Sequence, residues 1–533
     1  MGFLQAVRDR FSGSAAPARP QPRSGYFRND RSPFLMGWRP QLRETSDDIG
    51  ASWQVAAARA VESVQNSGFI AGTVETSTAS VVGKGLALSC RPDSYGLGWT
   101  EKQGNDWAER VETAWMAWAT SPEECDASGR MTFHQMQQLS YASWLSFGEA
   151  VALMPMLRRR GGSFTKVLMM PPSRLAMKSD GQRLIQGVQV DGFGAAQAYH
   201  FLRRWPDGQL GDLVLPRYDR DGRQQVAHVF APGIQTTRGI SPLAPVLKVV
   251  RQIDQFCDAT LTAALIQTIF AATIKTEFQG LAAFEGLMTE GDQKDQGALS
   301  LSAFAGSKAD WYDTAKVDLS SHGRIAHLFP NDTLEFHSSK HPSAQHDQFM
   351  QWLCREVARC AGVTYEAATG DYRNATYSSV RMATAEMWGI VLTRRANIPA
   401  TLSQQVYEGW LVDMIGSGQL QFPGGLSAFL GNRRAACRAS WTGPPKPQAD
   451  DLKTARANQT LIQMGVSSLE TVCEEYGTDW KAEMERRARE REYAKELGLP
   501  DPHPFPEDPS YKRAEQGTAE DKTDDPGYMP EGG

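Results

Sequence analysis

Two histidines in this chain have a spacing that could bind zinc. His337 and His341 are four residues apart, so a helix would place both imidazoles on one face. Pro342 follows directly and no helical pattern covers the pair, which favours surface histidines at an interface, with a charge that responds to pH. We therefore expect no metal and no cofactor. The same stretch also contains His322, His327 and His346.

Phosphate-binding and calcium-binding patterns are incomplete. The triplet Gly83-Lys84-Gly85 lacks the preceding glycine and the following Ser or Thr of a phosphate-binding loop, so we do not expect nucleotide hydrolysis by this chain. The run from Asp219 to Gly222 resembles the start of a calcium loop. It has no downstream glutamate at the required spacing, and a plain turn is the better interpretation. No GxGxxG follows a strand and no GxSxG is present.

A polar and aromatic loop near residue 373 is a candidate for binding rather than catalysis. Tyr372, Arg373, Asn374 and Tyr377 are closely spaced, and Arg381 lies just beyond them. The plainer interpretation is a surface turn that caps the next helix. A functional role for these residues needs support from outside this stretch.

A long helical pattern begins well before this loop, after a turn at Arg238-Gly239. From Ser241 to Lys275, apolar residues recur at three- and four-residue steps, which predicts an amphipathic helix capped by Ser241. It would be roughly 45 Å long or more. Alanines make its second half narrow, so another helix could approach closely. On this stretch alone, one core helix of a large soluble protein is the plainer interpretation.

Two further helices flank the polar loop directly. The first is predicted for residues 344–360 and ends at Gly362. The second is capped by Ser378 or Ser379 and extends to about residue 415. Pro399 lies inside it and should kink it, because proline has no amide donor and its ring clashes with the carbonyl four residues earlier.

The remaining elements predict an α+β fold. Helices are expected where apolar residues follow helical spacing, and strands where short apolar runs lie between turn residues. The other predicted helices cover residues 52–65, 105–119 and 132–147, with a final helical region at 450–497. Predicted strand-like runs cover residues 80–88, 150–156 and 166–170, with more short strands from 185 to 231. For residues 280–340 the sequence predicts a small inserted module, with extended pieces at His322–Leu328 and Thr333–Phe336.

Charge is distributed unevenly along the 533 residues. The formal net charge of -5 argues against the whole chain being a general polyanion binder. The first 43 residues carry eight arginines against two aspartates, whereas the segment after Leu499 is acidic. Both ends are rich in Pro, Gly and Ser, and this composition predicts disordered tails. The basic tail could bind DNA or anionic lipid, or be a solvated arm.

Cysteine usage and hydropathy indicate a protein of a reducing compartment that neither spans a membrane nor is exported by the ordinary route. The seven cysteines are scattered, with no CxxC, which suits a reducing compartment. No apolar run approaches the roughly 18–20 residues of a membrane span, and the N-terminus lacks a signal-peptide layout.

Several separated stretches together resemble the lambda family of tailed-bacteriophage portal proteins. These stretches are His228-Val229-Phe230 followed by Thr237 to Ser241, the helix ending in Ala271-Ala272-Thr273-Ile274, Gly362 to Glu366, Asp371-Tyr372, Thr376 to Arg381, Trp388, and the early Val81-Val82-Gly83 and Arg91-Pro92. Their order and spacing match over roughly residues 40–490, while the first 40 residues match poorly.

The resemblance implies a portal fold with a mixed α/β wing, a two-helix stem, a small α/β clip, a long kinked helix and a helical crown. The implied division is a disordered basic arm (1–44), wing (45–238), first stem helix (239–278), clip (279–343), second stem helix (344–361), tunnel loop (362–378), long kinked helix returning to the wing (379–449), crown (450–497) and disordered acidic tail (498–533).

The resemblance also implies a non-enzymatic virion protein. It would form a homododecamer at one capsid vertex, through which double-stranded DNA is packaged and ejected, and would nucleate procapsid assembly. Expected partners are the terminase large subunit, a head-completion or connector protein, the major capsid protein and the scaffolding protein, with no membrane. Tyr372, Arg373, Asn374 and Tyr377 would face DNA, and Arg381 would do so or brace the loop. The alternatives are a nucleic-acid-processing enzyme with an unrecognised metal site and a structural adaptor that forms no ring.

Overall fold

A computed structural model of the chain describes residues 40–159, 162–204, 210–220, 222–269, 272–276, 310, 332–336, 344–447, 451–478 and 480–503. Most of the two predicted tails and of the predicted clip lie outside these residues. The described residues form a mixed α+β fold that is mostly helical, in agreement with the predicted class.

The N-terminal region contains helices followed by short strands. Its helices are α1 (Thr45–Asn66), α2 (Gly68–Val81), α3 (Ser94–Leu97), α4 (Glu101–Thr120), α5 (Pro122–Cys125) and α6 (Phe133–Phe147). Its strands are β1 (Ala87–Cys90), β2 (Glu149–Leu153), β3 (Leu168–Met170), β4 (Leu184–Ile185), β5 (Val188–Val190), β6 (Ala196–Arg204), β7 (Leu210–Pro216) and β8 (Val226–Phe230). The predicted helices 105–119 and 132–147 are therefore confirmed with ends shifted by at most four residues, and the predicted helix 52–65 is confirmed within α1, which begins seven residues earlier.

The C-terminal region is dominated by helices. They are α7 (Leu247–Ile269), α8 (Ala344–Ala361), α9 (Tyr365–Thr369), α10 (Tyr377–Arg395), α11 (Thr401–Gly416), α12 (Gly425–Gly431), α13 (Arg433–Ala436), α14 (Asp451–Gln463), α15 (Leu469–Glu475) and α16 (Trp480–Glu496). Three strands complete the described elements, namely β9 (Ala272–Thr276), β10 (Asp332–Phe336) and β11 (Ala439–Thr442).

The described strands form small antiparallel sheets. Strand β2 pairs with β3 on one side and β8 on the other, and β4 to β7 form a meander in sequence order. Strand β1 pairs with β11, so the chain after the long C-terminal helix returns to the N-terminal region.

An aromatic cluster packs the long C-terminal helix against the N-terminal helices. Trp115 on α4 lies with its ring centroid 5.2 Å from Phe133, 5.7 Å from Tyr407 and 5.1 Å from Trp410. All four side chains are buried. Because rings from α4, α6 and α11 meet edge to face at these distances, the cluster joins the two halves of the described fold.

The first long helix is shorter at both ends than predicted. Ser241 accepts a hydrogen bond from the backbone N–H of Leu243 (3.1 Å), but a 3₁₀ turn follows and the α-helix begins only at Leu247. The described helix ends at Ile269. Residues 272–276, predicted as helical, form β9 and pair antiparallel with β10.

The error at the C-terminal end of this helix has a local cause. Thr273, Ile274 and Thr276 are β-branched residues, which favour a strand when a partner strand is available. That partner is β10, which begins 56 positions later at Asp332, and helical spacing carries no information about it.

Two smaller predictions were also wrong. Residues 80–88 do not form one strand, because α2 continues to Val81 and β1 begins only at Ala87. Gly83, at φ +59°, makes the turn between them. The cap of the second long helix is Thr376, whose hydroxyl accepts from the N–H of Ser379, rather than Ser378 or Ser379.

Pro399 lies within the second long helix, as predicted, and the helix accommodates it as a π-helical segment, Ala396–Ala400. The hydroxyl of Thr401 donates to the carbonyl of Ala396 at 2.9 Å, which supplies an extra donor where the backbone register changes. Helical structure then continues to Gly416, close to the predicted end near residue 415.

Candidate nucleic-acid interface

The five residues singled out from the sequence lie on one exposed segment between α8 and α10. Tyr372, Arg373 and Asn374 lie in the loop, Tyr377 is the first residue of α10, and Arg381 follows one turn later. All five side chains are exposed. The segment can therefore be reached by a ligand from solvent.

Arg373 is exposed, but its charge is compensated by a neighbouring carboxylate. Its Nε lies 2.8 Å from Oδ1 of Asp371 and its Nη2 lies 2.7 Å from Oδ2, a two-point contact. These hydrogen bonds hold the pKa of Asp371 well below its usual range. Asp347 on α8 is a second carboxylate, 3.8 Å from the same Nη2. The loop tip therefore presents a mixed charge rather than a free cation.

The loop backbone is held in place on both sides of Arg373. The N–H of Ala375 donates to the carbonyl of Tyr372 (3.1 Å), which closes a turn around Arg373 and Asn374. Oδ1 of Asp371 also accepts a hydrogen bond from the backbone N–H of Arg373 (3.1 Å). The capping box at Thr376 then starts α10. These bonds set the direction in which the turn points.

The base of the loop is fixed where α8 ends. Gly362 has φ +78°, and a Cβ there would lie 2.2 Å from Nη1 of Arg394, so a larger residue would displace that side chain. Arg394 on α10 donates to the last carbonyls of α8, at 2.8 Å to Cys360 and also to Ala361. One arginine thus joins the helix before the loop to the helix after it.

A buried hydrogen-bond network extends this junction into the core. The hydroxyl of Ser77 on α2 donates to the carbonyl of Ala361 (2.8 Å) and lies 2.9 Å from the hydroxyl of Tyr141 on α6. Arg394 also donates to that tyrosine hydroxyl (3.3 Å). The loop base is therefore connected to α2 and α6 by satisfied polar groups.

A second polar centre lies where the chain enters α7. Glu149, the first residue of β2, is fully buried and receives hydrogen bonds from Nε of Arg238 (2.9 Å to each oxygen). His228 lies 2.9 Å from its Oε2, and the ring of Trp53 covers Arg238 at 4.5 Å. Burial alone would raise the pKa of Glu149, but the charge of Arg238 and the hydrogen bond with His228 lower it to about 2.

Helices α7 and α8 carry an aromatic and apolar surface. The rings of Phe256 and His346 stack at 4.5 Å, and Phe349 lies 5.5 Å from Phe256. Phe349 is 49% exposed and Trp352, one turn along α8, is 59% exposed. Because Phe349 lies 6.2 Å from Trp352, these exposed side chains form one patch rather than isolated exposed residues.

The histidine-rich stretch is described only at its end. His322, His327, His337 and His341 lie outside the described residues, so the zinc spacing of the last two is not tested. In the ranges that the structure describes, no set of three or more His, Cys, Asp or Glu side chains is grouped to bind a metal. Across the same ranges, none of the helices has the length and apolar character that crossing a bilayer requires.

The sequence prediction missed the residues that position the loop. Asp371 was noted only as part of a family stretch, Gly362 only as the end of the preceding helix, and Asp347 and Arg394 were given no role in the site. A signal for Asp371 was present, since an acidic residue two positions before Arg373 in a polar loop can form such a turn. No local signal identifies Arg394, because its partners lie 33 and 34 residues earlier.

Comparisons with known proteins agree with the resemblance. The family described as "Phage portal protein, lambda family" matches residues 31–395. The portal protein of Escherichia phage N15 is 27% identical over 481 residues, covering 88% of this chain and 89% of that protein. Portal protein B of Escherichia phage lambda is 26% identical over 480 residues, with the same coverage. The family match starts at residue 31, earlier than the expected start near residue 40.

Among solved structures, a chain from the neck of an empty gene transfer agent (GTA) particle is similar over 87% of this chain and 95% of that one. The two share 12% identity, and the TM-score is 0.43. A score at this level carries no argument about architecture. Family membership follows instead from the family match, which extends over more than half of the sequence. The chain belongs to the lambda family of phage portal proteins, which are structural, non-enzymatic components of the virions of tailed phages.

Proposed function

We propose that twelve copies of this chain form a ring at one capsid vertex, and that double-stranded DNA passes through the ring during packaging and ejection. The observation that carries this proposal is the pre-ordered loop of residues 362–378, which projects an exposed turn between two helices. Repeated around an axis, such turns would surround a central opening.

The exposed surface of α7 and α8 supports the ring. Leu261 and Leu265 on α7 are 61% and 56% exposed, and Phe349 and Trp352 on α8 are also open to water in one chain. Such residues are typical of surfaces that another protein covers. We assign α7 and α8 as the two stem helices, whose neighbours in the ring cover this surface.

The other regions are assigned from the resemblance of the sequence to the family. Residues 45–238 form the wing, 279–343 the clip, 379–449 the long helix with its return to the wing, and 450–497 the crown. The clip, together with β9 and β10 at its base, would project from the stem. Terminase docks on the clip and supplies ATP hydrolysis, and a head-completion or connector protein later occupies that surface. Contacts with capsid and scaffolding proteins nucleate the procapsid.

The charge of the loop suits a channel that must not hold DNA tightly. Each cation that neutralises a DNA phosphate adds salt-dependent affinity, and in a ring several subunits can make such contacts at the same time. Arg373 paired with Asp371 limits this effect while leaving guanidinium N–H groups near the surface. Asn374, Tyr372 and Tyr377 add uncharged contacts, and Arg381 lies beside them at the start of α10.

The proposed DNA contact can be tested with a double substitution, Arg373→Ala with Asn374→Ala. Both side chains are exposed, so we expect rings to assemble while packaged DNA per capsid, or its retention after packaging, decreases. The measurement is nuclease-protected DNA per capsid in an in vitro packaging reaction.

A matched control is available in the wing. Gln182 and Arg183 also lie in an exposed turn held by an aspartate, Asp180, which accepts from both of their backbone N–H groups. Replacing Gln182 and Arg183 with Ala should leave packaging unchanged. Normal packaging and retention by the loop variant, with intact rings, would remove the role assigned to Arg373 and Asn374.

A further inference from the structure

A groove along α1 lies apart from the loop and has no part in the proposed channel. It has a volume of about 420 Å³ and is lined mainly by apolar side chains. Its walls come from α1, from the end of α6 and from the chain that follows β3. The residues that matter here are Trp53, Ala58, Val61, Phe147, Leu175 and Met177.

The groove borders a small apolar cluster that is separate from the main core. Trp53 and Ala57 are buried in this cluster, with Phe147 and Met177 partly buried against them. One face of Trp53 stacks on Phe147 at 6.5 Å. Phe147 and Met177 are only partly buried, and both line the groove, so this side of the cluster is open to solvent.

The chain just before α1 carries side chains that would complete this cluster. Residues 33–38 read Pro-Phe-Leu-Met-Gly-Trp, an apolar run that contains four large side chains. Arg39 follows it directly, and Glu62 lines the groove. The run also lies within the region that matches the family, which starts at residue 31. Both apolar character and charge therefore suit the groove.

The length of the connection allows this segment to reach the groove. Ala58, near its centre, is thirteen residues along α1 from Thr45, or about 20 Å at 1.5 Å per residue. The seven steps from Trp38 to Thr45 span up to about 23 Å when extended. A chain that turns back along α1 can therefore place Trp38 at the groove centre, with Phe34 to Met36 still available to fill the rest.

We propose that residues 33–38 fold back along α1 of the same chain and occupy this groove. Their side chains bury Ala58, Val61 and the partly exposed side chains of Phe147 and Met177. The basic arm upstream of residue 33 then leaves the protein from a defined point beside α1. This contact is independent of the ring and of DNA.

Site-specific photocrosslinking in the full-length protein tests the contact. A benzophenone amino acid in place of Phe34 should crosslink to residues 53–65 or to Met177 of the same polypeptide, as mapped by mass spectrometry of the monomer band. The same probe in place of Tyr26, outside the apolar run, should not crosslink to the groove.

A substitution in the groove gives the matched comparison. Ala58 is exposed and lines the groove, so Ala58→Arg should fill it without disturbing the core and reduce the crosslink yield to that of the Tyr26 probe. Ala51→Arg, also exposed on α1 but not among the residues that line the groove, should leave the yield unchanged. Crosslinks to the groove of a second polypeptide, crosslinks elsewhere, or full yield in Ala58→Arg would each overturn the proposal.

Discussion

Replacing Arg238 with methionine should lower the free energy of unfolding by about 3–5 kcal/mol, because it leaves the buried carboxylate of Glu149 without its charged partner. Both side chains are fully buried, and the arginine also donates to the carbonyl of Gln186 (3.0 Å). Methionine keeps much of the volume but supplies no donor. Urea unfolding followed by tryptophan fluorescence measures the change.

The double variant Arg238→Met with Glu149→Gln removes both charges and should recover a large part of the loss. An exposed ion pair supplies the contrast. Lys178 and Asp212 are each about half exposed, so Lys178→Met should change stability by less than about 1 kcal/mol. If the Arg238 variant lost no more than the Lys178 variant, the buried pair would not have the role described.

The same carboxylate sets a pH dependence. The pKa of Glu149 in the folded chain, about 2, lies below its ordinary value of 4.5, so the folded state binds this proton less readily than the unfolded state. Its contribution to stability is therefore complete above about pH 4.5 and is lost as the pH falls toward 2. In Glu149→Gln this part of the acid sensitivity should be absent.

Replacing Asp371 with asparagine should make the ring bind double-stranded DNA more tightly, with a steeper salt dependence. This prediction rests on the proposed channel. The amide can still accept from the N–H of Arg373 and keep the turn, but it no longer neutralises the guanidinium. If two such arginines touch phosphates at once, the slope of log K against log salt steepens by about 1.8. Lowering the salt from about 200 mM to about 50 mM should then raise the affinity of the variant roughly tenfold more than it raises that of the unmodified ring. Packaging should slow accordingly.

Two variants make this result specific. Asp371→Asn combined with Arg373→Gln should return the salt slope to that of the unmodified ring, since the released cation is removed. Asp180→Asn, in the corresponding wing turn, should leave the slope unchanged. An unaltered slope in Asp371→Asn would show that Arg373 does not reach DNA.

Local pattern predicted much of this fold because many of its elements are stabilised by contacts close in sequence. Helix α4 follows from the spacing of Trp107, Trp115 and Trp118, and its tryptophans are buried as that spacing requires. The turn after α8 follows from Gly362, and the interruption of the second long helix follows from Pro399. The glycine and the proline each restrict the backbone by residue type alone.

The failures occur where a distant partner decides the structure. Residues 272–276 are compatible with a helix by spacing and become a strand because residues 332–336 pair with them. Arg238 was interpreted only as part of a turn, although its main partner is Glu149, 89 residues earlier. In the loop, the sequence identified the exposed residues Arg373 and Asn374 but not Arg394, which holds the loop base through α8.

The most direct test of the proposed ring is imaging of the purified full-length protein by negative-stain electron microscopy, with its mass measured in solution. Twelve chains of 58.8 kDa give about 700 kDa, and we expect annular particles with a central opening wide enough for duplex DNA. A chain that remains single in solution, and that shows no annular form at a vertex of the virion, would contradict the account.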